Sequence, residues 1–273
     1  MLLNKKLFLT ICLSIALISV TNQALSQVLL NPATQPQFVN PLPIPSTIDG
    51  RSGGVIDISV TQNSFNLGIV NPITKAPLST TMWSYNGSVP GPTILARSGN
   101  PLKVNWLNKL TDVSGKFLPH LLPVDESLEW AFTNTGNTIQ NVGIPLVAHL
   151  HGGLTESESD GQPNAWVTPS DANNNFVTGM DFIKGGTVSP YLYANNQEAA
   201  SIWYHDHTMG ISRLNVYAGL AGSYLITDPN EIALKAANKL PAEAYDIVLN
   251  IQDKMFTADG QLFYPSAFVG APN

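Results

Sequence analysis

Two pairs of histidines, each with one residue between its members, are the feature of this chain best suited to chemistry. They are His149 with His151 and His205 with His207, four of the five histidines present. Because alternate residues of a β-strand point to the same face, each pair would project two imidazoles side by side. Neutral imidazole binds Cu, Zn, Fe and Ni, so the residue type alone does not select the metal.

A single pair of this kind is more often an ordinary half-exposed strand edge than a metal site. Here, however, both pairs lie in apolar segments, at 146–150 and 202–204. Burying several imidazoles without partners is unfavourable, which favours a shared metal ion. We therefore predict all four as metal ligands. His120 has no partner at ligand spacing and is predicted to lie on the surface.

Short β-type segments separated by turn residues surround the two pairs. This pattern predicts an all-β sandwich or barrel, with strands at 55–60, 82–85, 102–107, 147–151, 201–205 and 222–226. Pro90, Gly91 and Pro92 predict a turn. One helix is predicted at 231–239, ending before Pro241, and a fresh strand at 245–251.

The N-terminus has the order of a secretory signal: Lys5 and Lys6, an apolar run at 7–20, then the small residues Ala24 and Ser26 at the two positions that a signal peptidase reads. The run is too short for a stable membrane span. An uncleaved N-terminal anchor is the alternative. Cleavage would leave a secreted or periplasmic protein and would remove Cys12, the single cysteine, so that the mature chain holds no thiolate.

The domain organisation follows from these segments. We predict a signal peptide at 1–26, an extended Pro-, Asn- and Gln-rich arm at 27–50, a first β domain at 51–229, a linker helix at 230–243 and the start of a second β domain at 244–273. The formal charge of −6 includes both signal lysines. An acidic chain without basic runs argues against nucleic acid as a partner.

The residues flanking the histidines resemble the first domain of the multicopper oxidases, in the branch of bacterial laccases, bilirubin oxidases and spore-coat laccases. The resemblance lies in AHLHGG at 148–153, WYHDHTM at 203–209 and RLNVYAGLAG at 213–222. YNGSVPGPT at 85–93 and LFYPS at 262–266 are similar to further motifs of that family. The resemblance implies a cupredoxin-like, plastocyanin-like Greek-key β-sandwich, followed by the start of a second one.

The resemblance also implies roles for individual residues. The family's trinuclear copper cluster takes eight histidines, four from the first domain and four from the last. By position, His149 would bind the type 2 copper and His151, His205 and His207 the type 3 pair. The implied activity is one-electron oxidation of phenols, aromatic amines, bilirubin-like compounds or metal ions, coupled to reduction of oxygen to water.

Acidic residues near the ligands are open to two interpretations. Asp160 resembles a family residue that assists proton delivery, whereas the residues alone favour a solvated acidic loop at 156–160. The Asp206 side chain should point away from the predicted ligands on either side of it. It would then either support those ligands from behind or make a hydrogen bond at the surface. Arg213 and Asn215 are interpreted as structural, and Trp166, Trp203 and Tyr204 as core aromatics.

The family's type 1 copper site takes a cysteine, two histidines and often a methionine, and its motifs are not found in this chain, which has no histidine after His207. We therefore expect the N-terminal portion of a longer oxidase, inactive without the missing C-terminal domain. A non-catalytic secreted copper-binding module and a structural zinc site are the competing hypotheses.

Overall fold

Two larger β-sheets and one two-stranded hairpin form the fold, and His149, His151 and His205 lie on adjacent strands of the largest sheet. The computed structural model describes residues 28–180 and 190–265, so the predicted signal at 1–26 and the last residues of the predicted second domain lie outside the described residues. The strands are β1 (Thr47–Asp49), β2 (Gly54–Phe65), β3 (Thr80–Tyr85), β4 (Gly91–Arg97), β5 (Leu102–Asn108), β6 (Ala148–His151), β7 (Tyr191–Tyr193), β8 (Ala200–Asp206), β9 (Ala221–Thr227), β10 (Met255–Phe256) and β11 (Leu262–Phe263). The helices are α1 (Ile139–Val142), α2 (Ser212–Ala218) and α3 (Pro229–Ala236), with short 3-10 turns at Pro32–Thr34, Ser157–Ser159 and Glu243–Tyr245.

The sheets have the orders β1-β4-β9-β8-β6 and β3-β2-β5-β7, and β10 pairs with β11. Aromatic rings join the two larger sheets: Tyr204 lies 5.1 Å from Tyr85 and 5.2 Å from Trp106, measured between ring centroids. All three side chains are buried. Burial of such large apolar groups is the main stabilising contribution in a sandwich of this kind. The all-β prediction is confirmed.

The predicted strands around the histidines are confirmed, but β4 begins at Gly91, inside the predicted turn. Pro92 is accommodated because the pairing of β4 with β9 shifts register between Gly91 and Ile94, and irregular positions of this kind tolerate proline in a sheet. β1 falls within the predicted arm and pairs in parallel with β4.

The helix predicted at 231–239 is observed at Pro229–Ala236, where the Asp228 side chain accepts a hydrogen bond from the Glu231 amide. Helix α2 is not predicted by the sequence pattern, because it is only seven residues long and is followed directly by Gly219. Its buried side chains, Leu214, Asn215 and Ala218, hold it against the domain. None of the helices in the described residues is long and apolar enough to cross a membrane.

The prediction of a strand at 245–251 is wrong. Residues 246–254 form no regular structure, and Ile247, Leu249 and Ile251 are exposed. Within the described residues, no strand pairs with this segment, and a strand needs a partner for its backbone groups. The following β10–β11 hairpin does pack on the first domain, where Thr80 Oγ1 donates to the Gly260 carbonyl at 2.7 Å.

Candidate metal centre

The pairing of β6 with β8 brings the two histidine pairs together. His149 lies opposite His205 in the antiparallel register, and His151 lies opposite Trp203. Ring nitrogens of His149, His151 and His205 all lie within 4.8 Å of one another. His207 follows the end of β8, and its ring stacks on that of His149 with centroids 4.7 Å apart. The structure therefore places all four predicted ligands in one cluster.

Backbone carbonyls orient three of the four rings. The Nδ1 atom of His149 donates to the Asp160 carbonyl at 2.5 Å, that of His205 to the Asp206 carbonyl at 2.7 Å, and that of His207 to the Gly161 carbonyl at 3.0 Å. In a neutral ring this arrangement leaves Nε2 without a proton, which is the state that binds a metal ion; in His205 that nitrogen faces His151 Nδ1 at 3.3 Å. Metal-ligating histidines commonly donate their second ring nitrogen in this way. The residues present therefore fit a copper ion chemically.

The fourth ring has a different environment. The Nδ1 atom of His151 lies 3.3 Å from the Nε2 atom of His205, and the His151 side chain is exposed.

Burial, together with the other three histidines, lowers the pKa of His205 to about 4, although its hydrogen bond to the Asp206 carbonyl opposes this shift. His205 is therefore neutral near pH 7, which is the form that binds metal.

The Trp203 side chain lies on the exposed side of the cluster. It is 38% exposed, and its ring stacks on that of His205 at a centroid distance of 4.1 Å. The prediction that Trp203 is a core residue is therefore wrong, because it shares a sheet face with the histidines rather than with the core. Tyr204 and Trp166 are buried, as predicted.

Asp160 borders the cluster with both its backbone and its side chain. One carboxylate oxygen lies 3.5 Å from His149 Nδ1, while Thr155 and Gln162 each donate to the carboxylate at 2.8 Å. Its neighbours Glu156 and Glu158 are exposed, whereas Asp160 is half-buried. The carboxylate thus faces His149 rather than solvent alone.

Asp206 points away from its flanking histidines, as strand alternation predicts, and it is buried with 1% exposure. A surface role is therefore excluded. Burial raises its pKa to about 6, although hydrogen bonds from Asn215, Thr208 and Val147 oppose this shift. Arg213 Nη1 donates to the Gly210 carbonyl, in keeping with a structural role for that side chain.

The prediction that His120 lies on the surface is wrong. Its ring packs edge-on against Trp83 at a centroid distance of 4.6 Å, and its Nε2 atom lies 2.9 Å from Asn215 Oδ1. Burial lowers the pKa of His120 below its ordinary value of 6.5, against the opposing effect of its hydrogen bonds to Asn215 and Leu122. Sequence reasoning missed this residue because no local pattern surrounds it.

This burial predicts a pH effect on stability. Because its pKa is lowered, His120 binds a proton less tightly in the folded chain than in the unfolded chain, so the free energy of unfolding decreases as the pH falls. In the His120→Gln variant, which cannot titrate, the decrease between about pH 7 and about pH 5 should be shallower, by up to about 1.4 kcal/mol per pH unit. Urea unfolding of both proteins at several pH values measures the difference. Parallel pH profiles would contradict this prediction, since every other titrating group is common to the two proteins.

Comparisons with known proteins agree with this geometry. The family model described as multicopper oxidase matches residues 70–116 and 137–231. A laccase of Bacillus stratosphericus is 39% identical over 233 residues, covering 84% of this chain and 40% of that protein. A laccase of Bacillus subtilis is 36% identical, covering 86% of this chain and 41% of that one. The chain thus spans about two fifths of the length of these relatives.

Among solved structures, the McoA multicopper oxidase of Aquifex aeolicus superposes with a TM-score of 0.57 at 24% identity, covering 84% of this chain and 38% of that one. This likeness supports the predicted cupredoxin-like fold. The family match extends over both histidine motifs and the strands that carry them. The chain belongs to the multicopper oxidase family of oxidoreductases.

Proposed function

We propose that this chain supplies half of the histidine ligands of a trinuclear copper cluster in an oxygen-reducing oxidase. In this proposal His149 holds the type 2 copper, and His151, His205 and His207 hold the type 3 pair. The observation that carries it is the convergence of the His149, His151 and His205 ring nitrogens, with the His207 ring stacked on that of His149. Three of the four rings have Nδ1 engaged by a backbone carbonyl. The remaining four histidines and the type 1 site would come from a further domain of a longer protein.

In the complete enzyme, one-electron oxidation of a phenolic, aromatic or metal-ion reductant would be coupled to reduction of molecular oxygen to water. Copper, when bound, supplies the redox chemistry. The chain's own residues orient the ligands and handle protons. Water formation consumes protons, and the Asp160 carboxylate, 3.5 Å from His149 Nδ1, is placed to hold one beside the ligands.

We also propose that the protein is exported, to the periplasm or the medium. The basic, apolar and small-residue order of residues 1–26 supports this proposal. These residues lie outside the described part of the chain.

Titration of the purified mature chain with copper and with zinc tests the proposed site. We expect copper to bind, and we expect the loaded protein to lack the intense blue thiolate-to-copper absorption, because the single cysteine, Cys12, lies in the predicted signal. Isothermal calorimetry, paramagnetic resonance and visible absorption measure these outcomes. An intense blue band would show that a thiolate ligand is present. Binding of zinc with exclusion of copper would instead support a structural zinc site.

A further inference from the structure

We propose that Asp206 is a positioning residue, which is supported by Asn215 and His120 and fixes the separation between the two histidine pairs. We call Asp206, Asn215, His120 and Thr208 the brace. It lies on the opposite side of β8 from the ligands. The inference rests on the proposed function in one respect, since the purpose of fixing that separation is to bind copper.

The Asp206 carboxylate joins the segments that carry the two pairs. One oxygen accepts a hydrogen bond from the Val147 amide at 3.1 Å, two residues before His149, and lies 2.9 Å from the Thr208 hydroxyl. The other oxygen accepts from the Thr208 amide at 3.1 Å, one residue after His207. A single side chain therefore holds the start of β6 against the turn that carries the last ligand.

Asn215 connects this carboxylate to helix α2. Its Nδ2 atom donates to Asp206 at 2.8 Å, and the residue is fully buried. The Leu122 amide donates to His120 Nδ1 at 2.9 Å, so that nitrogen carries no proton. His120 Nε2 must then be the donor to Asn215 Oδ1. This direction fixes the orientation of the Asn215 amide, which presents its NH2 group to Asp206.

A carboxylate suits this position because donors surround it. The Val147 and Thr208 amides and the Asn215 NH2 group all point at acceptor oxygens. An asparagine at 206 would direct its own NH2 group at one of these donors. The NH2 group and the donor that it faces would then both lack an acceptor. Within the described residues, no ion pair involves Asp206. Hydrogen bonds alone therefore hold the buried carboxylate.

The test compares the Asp206→Asn variant with the parent chain, and uses Tyr224→Phe as a control. Tyr224→Phe removes a buried hydrogen bond of 2.8 Å to Asn195, and neither residue belongs to the brace. In the metal-free proteins, we expect Asp206→Asn to speed amide hydrogen exchange at Val147 and Thr208 by about tenfold or more, and to shift the ring resonances of His149 and His207. We expect its copper affinity to fall about 10–100-fold. The control variant should leave the amide exchange rates, the histidine ring resonances and the copper affinity unchanged.

Thr208→Val provides a second variant, in case Asp206→Asn does not fold, because it removes one hydroxyl donor and keeps the side-chain shape. We expect the same changes in amide exchange, ring resonances and copper affinity, but of smaller magnitude. Unchanged exchange and unchanged ring resonances in the folded variants would overturn the proposal. If the parent chain binds no copper, the proposed function fails, and the metal-free measurements still decide whether the brace positions the histidines.

Discussion

Replacing His205 with alanine is expected to lower the copper affinity of the chain by more than about tenfold, because losing a ligand should cost at least as much as losing a group that supports one. His205 is the buried member of the cluster, its Nδ1 atom is engaged by the Asp206 carbonyl, and its Nε2 atom faces His151. His149→Ala should have a comparable effect, because His149 stacks on His207 and lies opposite His205 in the sheet.

A buried hydrogen bond outside both the cluster and the brace provides the control for this experiment. Tyr224 is buried, and its hydroxyl donates to Asn195 Oδ1 at 2.8 Å. Tyr224→Phe removes that bond and should retain the copper affinity of the parent chain. Calorimetric titration with copper, after circular dichroism has shown that each variant is folded, measures the effect. If His205→Ala binds copper with the affinity and stoichiometry of the parent, the ligand assignment is wrong.

The second large effect is expected at Gly161, whose carbonyl accepts the hydrogen bond from His207. Its φ angle is +75°, and a Cβ atom there would lie 1.9 Å from the Ala148 carbonyl oxygen. Gly161→Ala must therefore push this loop away from β6. We expect the free energy of unfolding to fall by about 3 kcal/mol or more, which combines the left-handed backbone cost with a steric clash. Copper affinity should fall as well, because His207 loses the acceptor that orients its ring.

Gly136→Ala separates these two contributions. Gly136 has the same φ angle of +75°, but a Cβ atom there would meet nothing within 4 Å. This variant should lose only about 1–2 kcal/mol, the cost of the left-handed conformation itself. Urea unfolding of the two variants beside the parent gives the comparison. Equal losses would mean that close contact with β6 is not the reason for glycine at 161.

Local periodicity predicts several of the strands and the ligand candidates directly from the sequence. Alternating apolar residues located β2 and β5, and the spacing of the first pair placed His149 and His151 on one face of β6, whereas β8 ends before His207. The same alternation correctly turned Asp206 away from the ligands. The motifs flanking the histidines also identified the family, which the family model and the laccase relatives confirm.

The tertiary structure alone decided which segments meet, because contacts between distant residues leave no local pattern. Antiparallel pairing of β6 with β8 set His149 opposite His205 and moved Trp203 to the exposed face. Packing placed the His120 ring against Trp83 and connected it through Asn215 to Asp206. The segment at 246–254, apolar enough to predict a strand, stayed irregular. The reason is that strand formation depends on a pairing partner as well as on composition, and the described part of the chain offers none.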